Sequence, residues 1–240
     1  MKLTFLGTRG NIEPTTRRHR WHSSLLVSYH HRRLMIDCGS DWSGRLEEVG
    51  PHAIALTHVH PDHAGALAEG APCPVWATAV SWESLEDAPV ESRHTLDARV
   101  PAEVEGMTLE AFTVEHSLRA PAVGLRITAG ASVLFYVPDV VFIHERGEAL
   151  DGVGLYVGDG ATLSGSLVRR RDDRLIGHTR VSTQLTWCGT HGVPRALITH
   201  CGAEIVTGDE RSLGPEVRRL GRERGVEAAI AHDGMEVVLR

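Results

Sequence analysis

Thr57-His58-Val59-His60-Pro61-Asp62-His63-Ala64-Gly65 follows directly on an apolar run at 53–56 and carries three imidazoles and a carboxylate within six residues. His58 and His60 are two apart, so in an extended segment both side chains face the same way off the end of a strand. Past Pro61, Asp62 and His63 open a helix in its first turn. One strand-to-helix corner therefore offers two pairs of ligands to two neighbouring points in space, which is what a two-metal site requires. Imidazole nitrogens with carboxylate oxygens suit zinc, manganese or iron.

Outward from this corner the chain alternates β-branched and aliphatic runs with turn residues. Strands are expected at 2–6, 24–29, 33–37, 53–57, 74–77, 107–114, 123–128, 132–136, 154–157, 195–199, 226–231 and 235–239. Helices are expected between them at 43–49, 62–69, 80–85, 181–191 and 214–224. Two blocks of strands, each trailed by helices, predict an α/β chain of two packed sheets with helices outside. The turn His232-Asp233-Gly234 is expected to close a final hairpin. With no internal repeat, low-complexity tract or long linker, residues 1–240 read as one domain.

Composition narrows the function. A chain of 240 residues, 42% hydrophobic and 23% charged, is neither fibrous nor disordered. No apolar run reaches membrane-helix length, the start at 1–7 reads as a strand entering a turn, and a cytoplasmic location is expected. Cys38, Cys73, Cys188 and Cys201 form no CxxC pair, which argues against a disulfide framework. The net charge of −6 excludes a surface that grips nucleic acid all round. The basic clusters Arg17-Arg18-His19-Arg20 and Arg169-Arg170-Arg171 with Arg174 are expected to be solvated loops, with the alternative that they face the site and bind phosphate. The anomaly is 15 histidines against a single lysine, Lys2.

The His-x-His-x-Asp-His run after a strand resembles the signature of the metallo-β-lactamase superfamily. That family also asks for a later His, Asp and His at strand ends. They occur in order here as His116 in Thr113-Val114-Glu115-His116-Ser117, Asp139 in Phe135-Tyr136-Val137-Pro138-Asp139, and His200 in Leu197-Ile198-Thr199-His200-Cys201. The resemblance spans essentially the whole chain and implies a four-layer αβ/βα sandwich, with two mixed sheets flanked by helices and metals at one edge. It implies one divalent ion on His58, His60 and His116, a second on Asp62, His63 and His200, and Asp139 bridging both. Zinc is expected foremost, with manganese or iron as alternatives.

Gly7-Thr8 after the first strand, Ser23-Ser24-Leu25-Leu26 and Ile36-Asp37-Cys38-Gly39 are similar to the ribonuclease Z and small phosphodiesterase branch, in which Asp37 would orient a ligand histidine. Asp159-Gly160-Ala161-Thr162 and His178-Thr179 resemble that branch's acidic and His-Thr elements, making His178, Asp159 and Asp62 the catalytic set. The resemblance implies hydrolysis of a phosphodiester by metal-activated hydroxide, with His178 protonating the leaving group. Expected partners are a small cyclic-nucleotide or cyclic-phosphate substrate or an RNA 3′-end, and a second copy of the chain in a homodimer. Alternatives are a lactonase or other carboxyl-ester hydrolase on the same ions, a mononuclear iron sulfur dioxygenase, or a non-enzymatic metal-binding regulator. The sequence departs from the branch in lacking the long arm that clamps transfer RNA, and in Pro138-Asp139-Val140, where the branch carries a hydroxyl after the aspartate. Cys38 and Cys201, beside Asp37 and His200, read as small buried hydrophobes. Trp21 and Trp42 read as packing residues that could instead rim the pocket.

Overall fold

The computed structural model describes residues 1–240 and consists of two mixed sheets stacked face to face. In the first, the spatial order is Glu236–Val238, Lys2–Gly7, Ser24–Tyr29, Arg32–Ile36, Ala53–Ala55, Val75–Ala77, Arg93–Thr95. Pairing is antiparallel as far as Arg32–Ile36 and parallel beyond it. The second sheet runs Phe142–Ile143, Met107–Glu115, Ala122–Ala129, Ser132–Val137, Leu155–Asp159, Arg195–Thr199, Glu227–Ile230, with Ala102–Val104 added beside Met107–Glu115. Its last three neighbours pair in parallel.

Side-chain alternation explains why the strands near the centre read as continuous apolar runs. Leu134 and Tyr136 enter the layer between the sheets while Phe135 and Val137 face outward, and Leu155 and Val157 do the same against Tyr156. Both faces are covered, so both must be apolar. Helices Val181–Thr190 and Glu210–Arg222 close the outer face of the second sheet through Leu185, Cys188 and Val217. The short turns Ser40–Trp42, Leu46–Val49, Pro61–Ala64 and Gly65–Glu69 close the first through Trp42, Leu46 and Leu67. Three apolar layers thus separate four structural ones, the αβ/βα sandwich. No helix is long and apolar enough to cross a membrane.

The final hairpin does not form. Glu227–Ile230 joins the second sheet beside Arg195–Thr199, and Glu236–Val238 crosses over to pair with Lys2–Gly7 in the first. The crossing turn is fixed by Asp233, whose carboxylate accepts from Thr8 Oγ1 at 2.7 Å and from the Arg20 and Trp21 amides at 2.7 and 3.1 Å. These contacts outcompete a local two-residue turn. The last helix begins at Glu210 rather than 214 because Asp209 caps it, accepting from the Arg211 amide at 3.0 Å, and Pro215 is carried inside it. The segment expected as a solvated arginine loop is a two-stranded ribbon, Arg169–Arg171 against Arg174–Ile176.

Candidate metal centre

The predicted residues gather where strands of both sheets end. Pro61 occupies the first helical position, and His60 before it is extended (φ −60°, ψ 148°), as a residue preceding proline must be. That turn puts His58 Nε2 2.9 Å from His60 Nδ1, and His116, after Met107–Glu115, brings its Nε2 to 3.3 Å from the same atom. On the other side His63 Nε2 and His200 Nε2 each lie 3.2 Å from Asp62 Oδ2. Asp139, after Ser132–Val137, sits between the two groups. One carboxylate oxygen is 2.8 Å from His63 Nε2 and 3.4 Å from His200 Nε2, and the other is 3.5 Å from His116 Nε2.

The turn Asp37-Cys38-Gly39 holds this cluster from below. Fully buried Asp37 accepts from the Thr57 amide and hydroxyl and lies 2.8 Å from His63 Nδ1, which turns His63 Nε2 toward the carboxylates. Gly39 is required by closeness, since a Cβ there would lie 2.0 Å from the Asp62 carbonyl oxygen. His116 Nδ1 is fixed by the Gly177 carbonyl at 3.0 Å. His200 has a left-handed backbone, φ 48°, held by the Cys201 amide donating to the Thr8 carbonyl at 2.7 Å.

His178 and Asp159 form the other expected pair, with His178 Nδ1 2.8 Å from Asp159 Oδ2 and 3.5 Å from Asp139 Oδ1. Asp159 also accepts from the Val140 and Ala161 amides. The missing hydroxyl at position 140 thus leaves its amide in use. Asp159 is fully buried, and it reaches the cavity only through its contact with His178.

The donor set fits cations. A tetrahedral ion with bonds near 2.0–2.1 Å spaces its ligand atoms about 3.3 Å apart, which the separations within each trio approach. His63 Nε2 and Asp139 Oδ2 are buried and lie 2.8 Å apart, but neither makes a well-directed hydrogen bond to this or any other group. Without cations the neighbouring carboxylates hold protons on two of the imidazoles instead. Against burial, which alone would lower it, Asp139, Asp62 and Asp37 raise His63 well above the usual imidazole range. His200 is likewise lowered by burial but raised by Asp139, Asp159 and Asp62, to about 10. Burial pushes His58 well below its ordinary value, leaving its lone pair free. Metal binding exchanges such protons for a cation.

A cavity of about 590 Å³ opens onto His60, Asp62, His116, Asp139, His178 and His200, rimmed by Asn11, Leu167 and Glu204. Arg17, Arg18 and His19 do not face it. They line a separate cavity of about 790 Å³ beside helix Glu210–Arg222, where Arg18 pairs with Glu210 at 2.6 Å. Neither Trp21 nor Trp42 rims the metal cavity: Trp42 is buried under the first sheet and Trp21 carries the guanidiniums of Arg20 and Arg45 on its ring. Cys38 and Cys201 are buried among apolar neighbours, and burial pushes both thiols up.

Sequence reasoning missed Gln184. Its amide nitrogen donates to the Asp159 carbonyl at 2.7 Å and the Thr179 carbonyl at 3.4 Å, while its oxygen accepts from the Asp159 amide and the Tyr156 hydroxyl. It staples together the backbones on either side of the Asp159–His178 pair. Its only signal was being the single glutamine in the chain.

A two-sheet sandwich with imidazole and carboxylate trios at one strand edge defines a class of metal-dependent hydrolases. Residues 32–201 match the family described as Beta-lactamase superfamily domain, and the chain belongs to it. Its fold is that of the zinc-bound PqqB from Methylobacterium extorquens, at 20% identity, TM-score 0.77 and full coverage of both chains. It is also similar to a diphosphatase from the PhnP family (17% identity, TM-score 0.71, 98% and 96% of the two chains). A third likeness is to an isothiocyanate hydrolase from Delia radicum gut bacteria (17%, TM-score 0.70, 100% and 99%). At these identities the likeness is one of fold. No curated protein matches the sequence.

Proposed function

We propose that the protein is a phosphodiesterase working with two divalent ions, zinc foremost. His58, His60 and His116 would hold one, Asp62, His63 and His200 the other, and Asp139 would lie between them. The observation that carries the reading is the His178–Asp159 pair, with Nδ1 2.8 Å from the buried carboxylate and the ring lining the metal cavity. When bound, two such ions supply positive charge for phosphate oxygens and lower the pKa of an attacking water.

The chain's own residues supply the rest. Burial alone would lower His178, but Asp159 and Asp139 raise it, which favours the doubly protonated ring that a general acid needs. Nδ1–H stays with Asp159, which leaves Nε2–H as the acid. As the phosphorus–oxygen bond to the departing alkoxide breaks, that proton passes to the oxygen and the imidazole is left neutral. The PhnP-family diphosphatase supports phosphate chemistry on this fold, and the isothiocyanate hydrolase warns that fold alone does not choose the substrate.

His178→Ala tests the reading. Metal content is expected to stay unchanged while turnover falls by about 10²- to 10⁴-fold on an alkyl phosphodiester and far less on bis-p-nitrophenyl phosphate, whose leaving group needs no proton. Equal losses on both would refute it. Lactone turnover without diester hydrolysis, or oxygen consumption with bound iron, would select the alternative chemistries.

A further inference from the structure

The ribbon Arg169–Arg171/Arg174–Ile176 lies off both main sheets and leads directly into the site. Its end is fastened to the metal centre by two bonds between Gly177 and His116, the Gly177 amide donating to the His116 carbonyl at 2.8 Å and the Gly177 carbonyl facing His116 Nδ1 at 3.0 Å. The Leu175 amide donates to Glu115 at 2.6 Å, and the next residue after Gly177 is His178. Leu167, just before the ribbon, rims the metal cavity and is 41% exposed.

All four arginines of the ribbon are exposed, and none makes an ion pair or a side-chain hydrogen bond. Elsewhere the chain pairs its arginines: Arg9 with Asp41, Arg18 with Glu210, Arg99 with Glu110 and Glu148, Arg219 with Glu216 and Glu223. Arg171 and Arg174 are direct cross-strand partners, and Arg169, two residues along, shares their face. Like charges set opposite one another destabilise a ribbon that is already marginal by its size. Asp172 and Asp173 sit at the tip without pairing to them, so four arginines against two aspartates leave a charge of +2 on a protein of net charge −6. Stability within the chain does not account for this arrangement.

We infer that the ribbon is a docking platform for the phosphates of an oligonucleotide substrate, gripping the chain outside the cavity in which one of its diester bonds is cut. Exposed Leu167, on the rim of the cavity two residues before Arg169, offers an apolar contact that a base can use and a bare polyphosphate cannot. The inference rests on the phosphodiesterase reading.

Its test replaces Arg169, Arg170, Arg171 and Arg174 together by serine in the metal-loaded protein, with metal content and melting temperature as controls of folding. Binding of a fluorescein-labelled dodecanucleotide, RNA and DNA in turn, is followed by anisotropy across a salt series, and hydrolysis of bis-p-nitrophenyl phosphate is measured alongside. The dissociation constant is expected to rise about tenfold or more, and the slope of log affinity against log salt to shrink by about 2 to 3, since each phosphate contact on a single strand contributes about 0.7. kcat/KM on bis-p-nitrophenyl phosphate is expected to stay as in the wild type. An unchanged affinity and slope, or an equal loss on the small diester, would overturn the platform. Displacement by tripolyphosphate as effective as by unlabelled oligonucleotide would overturn the choice of occupant. Loss of binding in the variant, while the wild type fails to hydrolyse bis-p-nitrophenyl phosphate, would contradict the phosphodiesterase reading, overturn the oligonucleotide as substrate and leave only a ribbon that binds it.

Discussion

Asp37→Asn changes one atom in a fully buried carboxylate and is expected to act at the metal without unfolding the chain. Asp37 receives three donors or ring nitrogens: the Thr57 amide at 2.8 Å on one oxygen, the Thr57 hydroxyl and His63 Nδ1, both at 2.8 Å, on the other. An asparagine keeps only one acceptor oxygen. Directed at the Thr57 amide, its NH₂ would set donor against donor in a buried site, so the NH₂ turns toward His63. His63 Nδ1 must then accept, and the ring proton moves to Nε2, the atom facing Asp62 and Asp139. A protonated Nε2 cannot ligate. Loss of such an orienting partner typically costs 10- to 100-fold in metal affinity, or about 1.4 to 2.7 kcal/mol. Titrating the metal-free proteins with zinc against a chromophoric chelator reads this directly, with circular dichroism to confirm the fold. Affinity within about threefold of wild type in a folded variant would refute the tautomer argument.

Two further outcomes follow from the same geometry. Gln184→Leu leaves the Asp159 amide and the Tyr156 hydroxyl buried without partners, at about 1–3 kcal/mol each. The melting temperature is expected to fall by about 5–15 °C, with kcat dropping more than 1/KM and metal content retained, and an unchanged kcat in the folded variant would exclude a positioning role. His19, buried with Nδ1 2.8 Å from Thr8 Oγ1, is lowered to about 4 by burial and by Arg18 and His232. The unfolded chain therefore takes up a proton there below about pH 6.5 that the folded chain refuses until about pH 4, so stability falls as pH drops through that window, by about 2 kcal/mol after solvent screening. Thermal melts of His19→Asn against wild type should diverge as pH falls from 7 to 4; parallel curves would contradict this.

The clustering of these histidines and aspartates was legible because metal chemistry restricts residue type and strand ends restrict position. His58 to His63 announce themselves by spacing, and His116, Asp139 and His200 each follow an apolar run that could only be a strand. The layered core was legible in the same way, in runs such as 134–137 buried on both faces. What could not be read was pairing decided at a distance. Residues 226–239 have the pattern of a hairpin, but the Asp233 carboxylate, reaching Thr8 and the Arg20 amide more than 200 residues away, and the Gly234 amide on the Phe5 carbonyl hold the second strand to the first sheet. Arg17 and Arg18 share a cluster pattern with Arg169–Arg171, but the last helix draws the first pair to another cavity. Gln184 works through backbone groups that no spacing rule marks. The histidine surplus resolves only in part: His19 is a buried partner of Thr8, His52 accepts from the Arg33 amide, and His94 stacks on Trp76 at 4.4 Å.

The central claim, two ions serving one phosphodiesterase site, is tested most directly by adding zinc stepwise to chelator-treated protein while counting bound metal and measuring hydrolysis of bis-p-nitrophenyl phosphate. The geometry predicts that activity appears in full only as the second equivalent binds, and that Asp62→Ala, which removes a donor from one trio alone, stops near one equivalent with little activity. Full activity at one equivalent, or two equivalents bound with no diester hydrolysis, would contradict the account.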